Sequence, residues 1–273
     1  MITILQLSDA HVSPRTELFR GNLERVRRAA EQAPPDLVVA TGDLSLDGAD
    51  READLALAAE LHRAFPAPLL ALPGNHDIGS EHRLMPQQPV DDARLARWRR
   101  HLGPGRGMLD LPGWRVIGLN TEVMGTGHAE EEAQAAFIAE AAAGAGTRRI
   151  ALFLHRPPWL HARDETEWNS WSVPPETRPA LAPLLDHPGL RLVASGHLHL
   201  HHEARRGAVA HVWAPALSFW CDPADQPGMP GERHPGALLH RLHADHVETT
   251  LLAPEGMEAV PIESVRDQTY PKG

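Results

Sequence analysis

The stretch "DLVVATGDLSLDG", Asp36 to Gly48, runs from an apolar segment straight into a polar turn that carries a glycine. A short, near-continuous apolar run bounded by turn formers predicts a strand buried on both faces. The same grammar recurs along the chain. "ITILQL" (Ile2–Leu7) precedes "SDAH", "PLLALP" (Pro68–Pro73) precedes "GNHD", "RIALFL" (Arg149–Leu154) precedes His155, and "LRLVAS" (Leu190–Ser195) precedes "GHLH". "WRVIGLN" (Trp114–Asn120) reads as a further strand.

Helical patterns separate several of these runs, at Leu18–Gln32, Ala49–Phe65 and Ala129–Ala143. The last opens on three glutamates, which suit the positive end of a helix dipole. Alternating strands and helices predict βαβ units and an at least partly parallel sheet. Beyond residue 200 the pattern changes. "AVAHVWAP", "GALLHRLH" and "HVETTLLAP" predict shorter strands with few helices between them, forming a second sheet packed on the first. No linker composition interrupts the chain, so residues 1–273 are read as one α/β domain.

Composition narrows the function. With 42% hydrophobic residues the chain can bury a substantial core. Its formal charge of -10 argues against a sequence-independent grip on nucleic acid and against an anionic membrane surface. A phosphate substrate then needs local positive charge, which bound cations supply. Cys221, the one cysteine, rules out a disulfide within the chain. Neither a signal-peptide pattern nor an apolar run of spanning length is present, and a cytoplasmic location is expected, with oligomer formation left open.

The placement of polar residues is the informative signal. Asp9 and His11, Asp43, Asn75 with His76 and Asp77, His155, and His197 with His199 all follow the carboxyl end of a predicted strand. In a parallel sheet those ends share one edge, where ligands bind. Any one of these aspartates or asparagines has an ordinary reading as a turn former. Five dispersed groups in equivalent positions do not, and together they offer nitrogen and oxygen donors suited to Mn, Fe or Zn. The tract "SGHLHLHH" (Ser195–His202) is therefore read as part of a metal site and not as a solvated histidine run.

In order, "SDAH", "GDLSLDG", "LPGNHD", "LFLHRPPW" and "SGHLH" resemble the signature of the calcineurin-like metallophosphoesterase superfamily, and most nearly its bacterial class III cyclic-nucleotide phosphodiesterase branch. The resemblance implies a four-layer αββα sandwich of two mixed sheets flanked by helices. It also implies two transition-metal ions. Asp9, His11, Asp43 and His199 would hold the first, and Asp43, Asn75, His155 and His197 the second, with Asp43 bridging. Two such ions, roughly 3.5–4 Å apart, activate a shared water for in-line attack on phosphorus. His76 would stabilise charge or protonate the leaving oxygen, and Asp77 would orient His76.

The expected function is hydrolysis of a small phosphodiester, of the cyclic-nucleotide or glycerophosphodiester class. A phosphomonoesterase is the alternative, and a non-catalytic module is disfavoured because every ligand position and His76 are present. One departure stands out. The branch carries His-His-Pro-Pro where this chain has "HRPP", so Arg156 replaces a histidine. Arg156 reads either as a phosphate clamp or as an ion-pair partner. Trp159, Trp168 and Trp171, in the proline-rich segment after His155, read either as stacking surfaces for substrate or as packing that pins a long loop.

Overall fold

The computed structural model describes residues 1–269. In chain order the elements are β1 (Ile2–Leu7), α1 (Arg20–Gln32), β2 (Leu37–Thr41), α2 (Glu52–Arg63), β3 (Leu69–Leu72), α3 (Asn75–Ile78), α4 (Asp92–Leu102), β4 (Gly107–Leu111) and β5 (Trp114–Gly118). They continue with α5 (Ala129–Ala143), β6 (Arg149–Leu154), α6 (Ala182–Leu185), β7 (Leu190–Ser195), β8 (His202–Arg206), β9 (Val209–Trp213), β10 (Phe219–Trp220), β11 (Ala237–Leu242) and β12 (Val247–Leu252).

Two mixed sheets form, in the orders β12-β11-β1-β2-β3 and β4-β5-β6-β7-β9-β8. The expected strands are all present, and the motif-bearing ones divide between the sheets. β1, β2 and β3 run parallel in the first sheet, while β6 and β7 run parallel in the second. The C-terminal strands do not make a sheet of their own, contrary to expectation. β11 pairs antiparallel with β1 and carries β12, whereas β9 joins β7 in the second sheet and carries β8. Alternation marks a residue run as a strand but carries no label for its partner.

Side-chain parity builds the layers. In β1, Ile2 and Ile4 face the second sheet, where they meet Ala151, Phe153, Leu192 and Ala194. Leu5 and Leu7 point the other way, onto Leu23 and Val26 of α1 and Leu55 and Ala58 of α2. On the far side of the second sheet, Ile150 and Leu152 pack against Ile138 and Ala141 of α5. The order is thus helices, sheet, sheet, helices, as the resemblance implied. Burying aliphatic side chains at roughly 1.5–3 kcal/mol each is the main force holding the layers together. No helix among the described residues is long and apolar enough to cross a membrane.

Candidate metal centre

The carboxyl ends of β1, β2, β3, β6 and β7 converge between the two sheets. Backbone bonds knit the turns that follow them, with the amide of Asp9 donating to Gly42, that of His11 to Asp43 and that of Gly196 to His155. Among the described residues, the non-glycine positions with positive φ are Asp9, His11, Asp43, His197 and His199, with φ between 46° and 70°. All five are candidate ligands. A left-handed L-residue costs about 1–2 kcal/mol, and such strain gathers where function requires it. Gly42 has φ of 92° as well, and a Cβ there would overlap the His155 ring.

Seven candidates come together as two sets that meet at Asp43. Donor atoms of Asp9, His11 and His199 lie within 4.8 Å of one another, as do those of Asp43, His155 and His197. His11 Nε2 lies 3.7 Å from Asp43 Oδ2, and His155 Nε2 lies 3.5 Å from the same oxygen. Asn75 Oδ1 stands 3.2 Å from His155 Nε2. His11, Asp43 and His76 form a third close set, so His76 adjoins the centre.

The protein commits one atom of each group and leaves the other facing inward. His155 donates Nδ1–H to the Thr41 carbonyl at 2.7 Å, and His199 donates Nδ1–H to the Phe219 carbonyl at 2.6 Å. In the neutral form of each ring Nε2 is then the free nitrogen, the tautomer a metal requires. Asp9 Oδ2 accepts from Ser8 Oγ at 2.5 Å and from the His197 amide at 3.0 Å. Its Oδ1 is buried with no hydrogen-bond partner, 3.3 Å from His199 Nε2. A buried carboxylate oxygen left unsatisfied is costly, and a cation among these donors removes that cost. The residues therefore fit a metal ion.

Electrostatics agree. Burial, then His76, holds His11 well below the usual imidazole range, and burial with Arg156 does the same to His197. Burial alone would raise Asp43, but His155, His76 and His11 outweigh it and hold its carboxyl well below its ordinary value. Burial would likewise depress His155, yet Asp43 pulls it up to about 9. His11 and His197 are thus held neutral beside an ionised carboxylate, while His155 holds a proton that a bound cation would displace.

Three further candidates remain, Asp77, Arg156 and Trp159. Asp77 accepts from the amides of Gly74, Leu44 and Ser45 and from Ser45 Oγ, tying the turn after β2 to the turn after β3. Its carboxylate thus fixes backbone, while the His76 ring is set by its Nδ1 donating to the Leu46 carbonyl at 2.8 Å. Burial, then Asp43, pushes Asp77 up to about 6. Arg156 is buried, and Nε of its fork is spent on both oxygens of Glu122, at 3.0 and 3.1 Å. Its Nη1 donates to the Ser170 carbonyl and lies 2.8 Å from His197 Nε2. Of the two readings of Arg156, the structure shows the ion pair. Because Ser170 O also sits 3.0 Å from His197 Nε2, it can accept a proton there and leave Nδ1 for a metal.

A cleft of about 560 Å³ opens over His76, Asn75 and His197, walled by Leu46, Met85 and Trp171. Trp159 does not reach it. Its indole is buried 5.3 Å from the His211 ring and lines a separate cavity of about 160 Å³. Burial of a large apolar ring against β9 explains that placement, and Trp171 is the indole at the site. Glu122 and Ser170 were not singled out in the sequence, whereas Trp171 was a candidate stacking surface. A glutamate after an apolar strand, like a backbone carbonyl, carries no periodic signal.

A model of the calcineurin-like phosphoesterase family matches residues 2–201. The chain is 27% identical, over 89% of its length and 86% of the relative's, to a 3',5'-cyclic adenosine monophosphate phosphodiesterase of Pseudomonas aeruginosa. A phosphodiesterase of the same name from Escherichia coli is 28% identical over 72% of this chain and 70% of its own. Among solved structures, a dimetal phosphatase from Danio rerio superposes with a TM-score of 0.56 at 14% identity, covering 92% of this chain and 96% of its own. That likeness is one of fold.

Proposed function

The chain belongs to the calcineurin-like phosphoesterase family and is a phosphoric ester hydrolase, and on that premise we propose that it is a two-metal phosphodiesterase acting on a small diester of the cyclic-nucleotide class. The observation that carries the reading is the convergence of Asp9, His11, Asp43, Asn75, His155, His197 and His199, with Asp9 Oδ1 buried and unsatisfied, beneath the cleft. Both sheets supply these residues, which supports treating residues 1–273 as one domain.

Asp9, His11, Asp43 and His199 would hold one ion, and Asp43, Asn75, His155 and His197 the other. When bound, such ions supply Lewis-acid polarisation of phosphoryl oxygens and lower the pKa of water at the site towards neutrality. His76 lines the cleft beside Asn75, where its ring can hold or pass a proton at the leaving oxygen. Leu46, Met85 and Trp171 exclude water from one side and offer a flat apolar surface to a base.

Arg156 is the one arginine or lysine among the described lining residues of the cleft, and Glu122 pairs with it; the lining carboxylates Asp47 and Asp50 are paired as well, with Arg51 and Arg94. That lining holds no spare cation for the second charge of a monoester dianion, which suits a monoanionic diester. The test compares Mn-reconstituted protein on 3',5'-cyclic adenosine monophosphate, a chromogenic diester and the matching monoester, with Asn75→Ala as control. Diester turnover that disappears in the variant supports the reading. Preferential turnover of the monoester would move the assignment to a phosphatase.

A further inference from the structure

Between the two apolar sheet faces runs a line of polar side chains that no part of the proposed reaction uses. Parity places them there. Gln6 follows Ile2 and Ile4 on the inward face of β1, Thr41 follows Leu37 and Val39, and His240 stands between Leu238 and Leu242 of β11. Gln6, Thr41 and His240 are fully buried. The line connects Thr249 of β12 to Asp9 through successive bonds. His240 Nδ1 lies 2.9 Å from Thr249 Oγ1, and His240 Nε2 lies 2.9 Å from Gln6 Oε1. Gln6 Nε2 is 3.0 Å from Thr41 Oγ1, which is 2.9 Å from Ser8 Oγ, and Ser8 Oγ is 2.5 Å from Asp9 Oδ2.

The direction of four of the five bonds can be worked out. Gln6 Nε2 also lies 3.3 Å from the Ser195 carbonyl, which can only accept, so the amide nitrogen must point that way and Oε1 must face His240. His240 Nε2 then carries the ring proton, and Nδ1 accepts from the Thr249 hydroxyl. At the other end a carboxylate accepts, so Ser8 donates to Asp9. Thr41 Oγ1 has two acceptors for its one proton, Ser8 Oγ at 2.9 Å and the Leu7 carbonyl at 3.2 Å. Every other link donates towards Asp9. Burial pushes His240 down to about 3, which keeps the ring neutral and this polarity fixed. A primary amide in the middle passes no proton, so the line orients and polarises.

We propose that Thr249, His240, Gln6, Thr41 and Ser8 are positioning residues that hold Asp9 Oδ2 and so aim Oδ1 at the metal. The reasoning rests on the two-metal reading above. A satisfied buried hydrogen bond contributes only about 1 kcal/mol net, and apolar replacements of matched shape are often as stable. Stability alone therefore gives little reason to thread five polar groups through this layer. Their common end point does. Ser195 is held by the same Gln6, and it leads into the Gly196–His197 turn whose amide is the second donor to Asp9 Oδ2. A Cβ at Gly196 would collide with Ser8 Oγ, so the turn is shaped around that hydroxyl.

The test is calorimetric titration of metal-free protein with Mn²⁺, using wild type, Ser8→Ala, Ser8→Thr and the paired variant Gln6→Leu/His240→Phe, with thermal melts of each metal-free protein alongside. Ser8→Ala should weaken one of two ions by about 10–100-fold and leave the other unchanged, as loss of a group that orients a ligand does. Ser8→Thr should restore it. The paired variant, which removes the middle of the line without stranding one partner against the other, should weaken the same ion by a smaller factor, whatever its melting temperature. Variants with wild-type affinity for both ions and an altered melting temperature would overturn the proposal and make the line purely structural. A wild-type chain that binds no Mn²⁺ would overturn the two-metal reading and the proposal with it.

Discussion

In the turns that carry Asp9, His11, Asp43, His197 and His199 the backbone is left-handed, whereas the cleft wall around Met85, Ser170 and Trp171 holds no such non-glycine residue. The two regions meet at His197, which lies 5.7 Å from Trp171 ring to ring. The turns are short, leave strands directly and are cross-bonded main chain to main chain. The wall comes from long segments and is tied to the centre through the Arg156–Glu122 pair and its bond to Ser170 O. Short strained turns on rigid strands give fixed donor positions, while loops held by a few side chains give a surface that can differ between substrates.

That contrast predicts a graded series of effects. Asp43→Ala, in a turn, removes the shared group and should cut kcat on a diester by on the order of 10³-fold, with metal content measured by mass spectrometry falling in parallel. Unchanged metal content and activity would break the distinction between turns and wall. Arg156→Met strands Glu122 in the core and should cost about 3–5 kcal/mol of stability in chemical denaturation. Adding Glu122→Leu should restore most of that stability and leave KM raised, because the Ser170 bond stays lost. A double variant with wild-type KM would show that the pair does not hold the wall.

Trp171→Ala should raise KM for 3',5'-cyclic adenosine monophosphate by up to about tenfold, with kcat nearly constant, as a lost stacking surface does. A fall in kcat without change in KM would place Trp171 with the turns instead. His62, in α2, lies outside both regions. Burial pushes it down to about 4, below the ordinary 6.5 of the unfolded chain. Its contribution is fully present above pH 6.5 and is lost as pH falls towards 4, because the unfolded state binds the proton first. Across that window the wild type should lose roughly 3 kcal/mol more than His62→Gln, read by denaturant melts, with no difference in KM at neutral pH.

The same contrast explains what could be read in the sequence. The candidate ligand positions are legible because each sits one to four residues past a strand whose apolar pattern is plain, and strand ends are fixed in space by the sheet. The wall was not. Trp159 and Trp171 occupy one proline-rich segment, and nothing in their spacing tells that the first packs on His211 and the second on the cleft. Arg156 left both readings open because its partner, Glu122, is 34 residues away and unmarked by any motif. The C-terminal strands were recognisable by alternation, but their division between two sheets depends on pairing across the fold. Gln6 did leave a trace, as a polar residue in register with Ile2 and Ile4, where an apolar one was due.

Diffraction from crystals soaked in Mn²⁺, with an anomalous difference map, tests the central claim most directly. The account predicts two peaks per chain, one contacted by Asp9, His11 and His199, the other by Asn75, His155 and His197, with Asp43 touching both. A single peak, or peaks that leave Asp43 and Asn75 without contact, would contradict it.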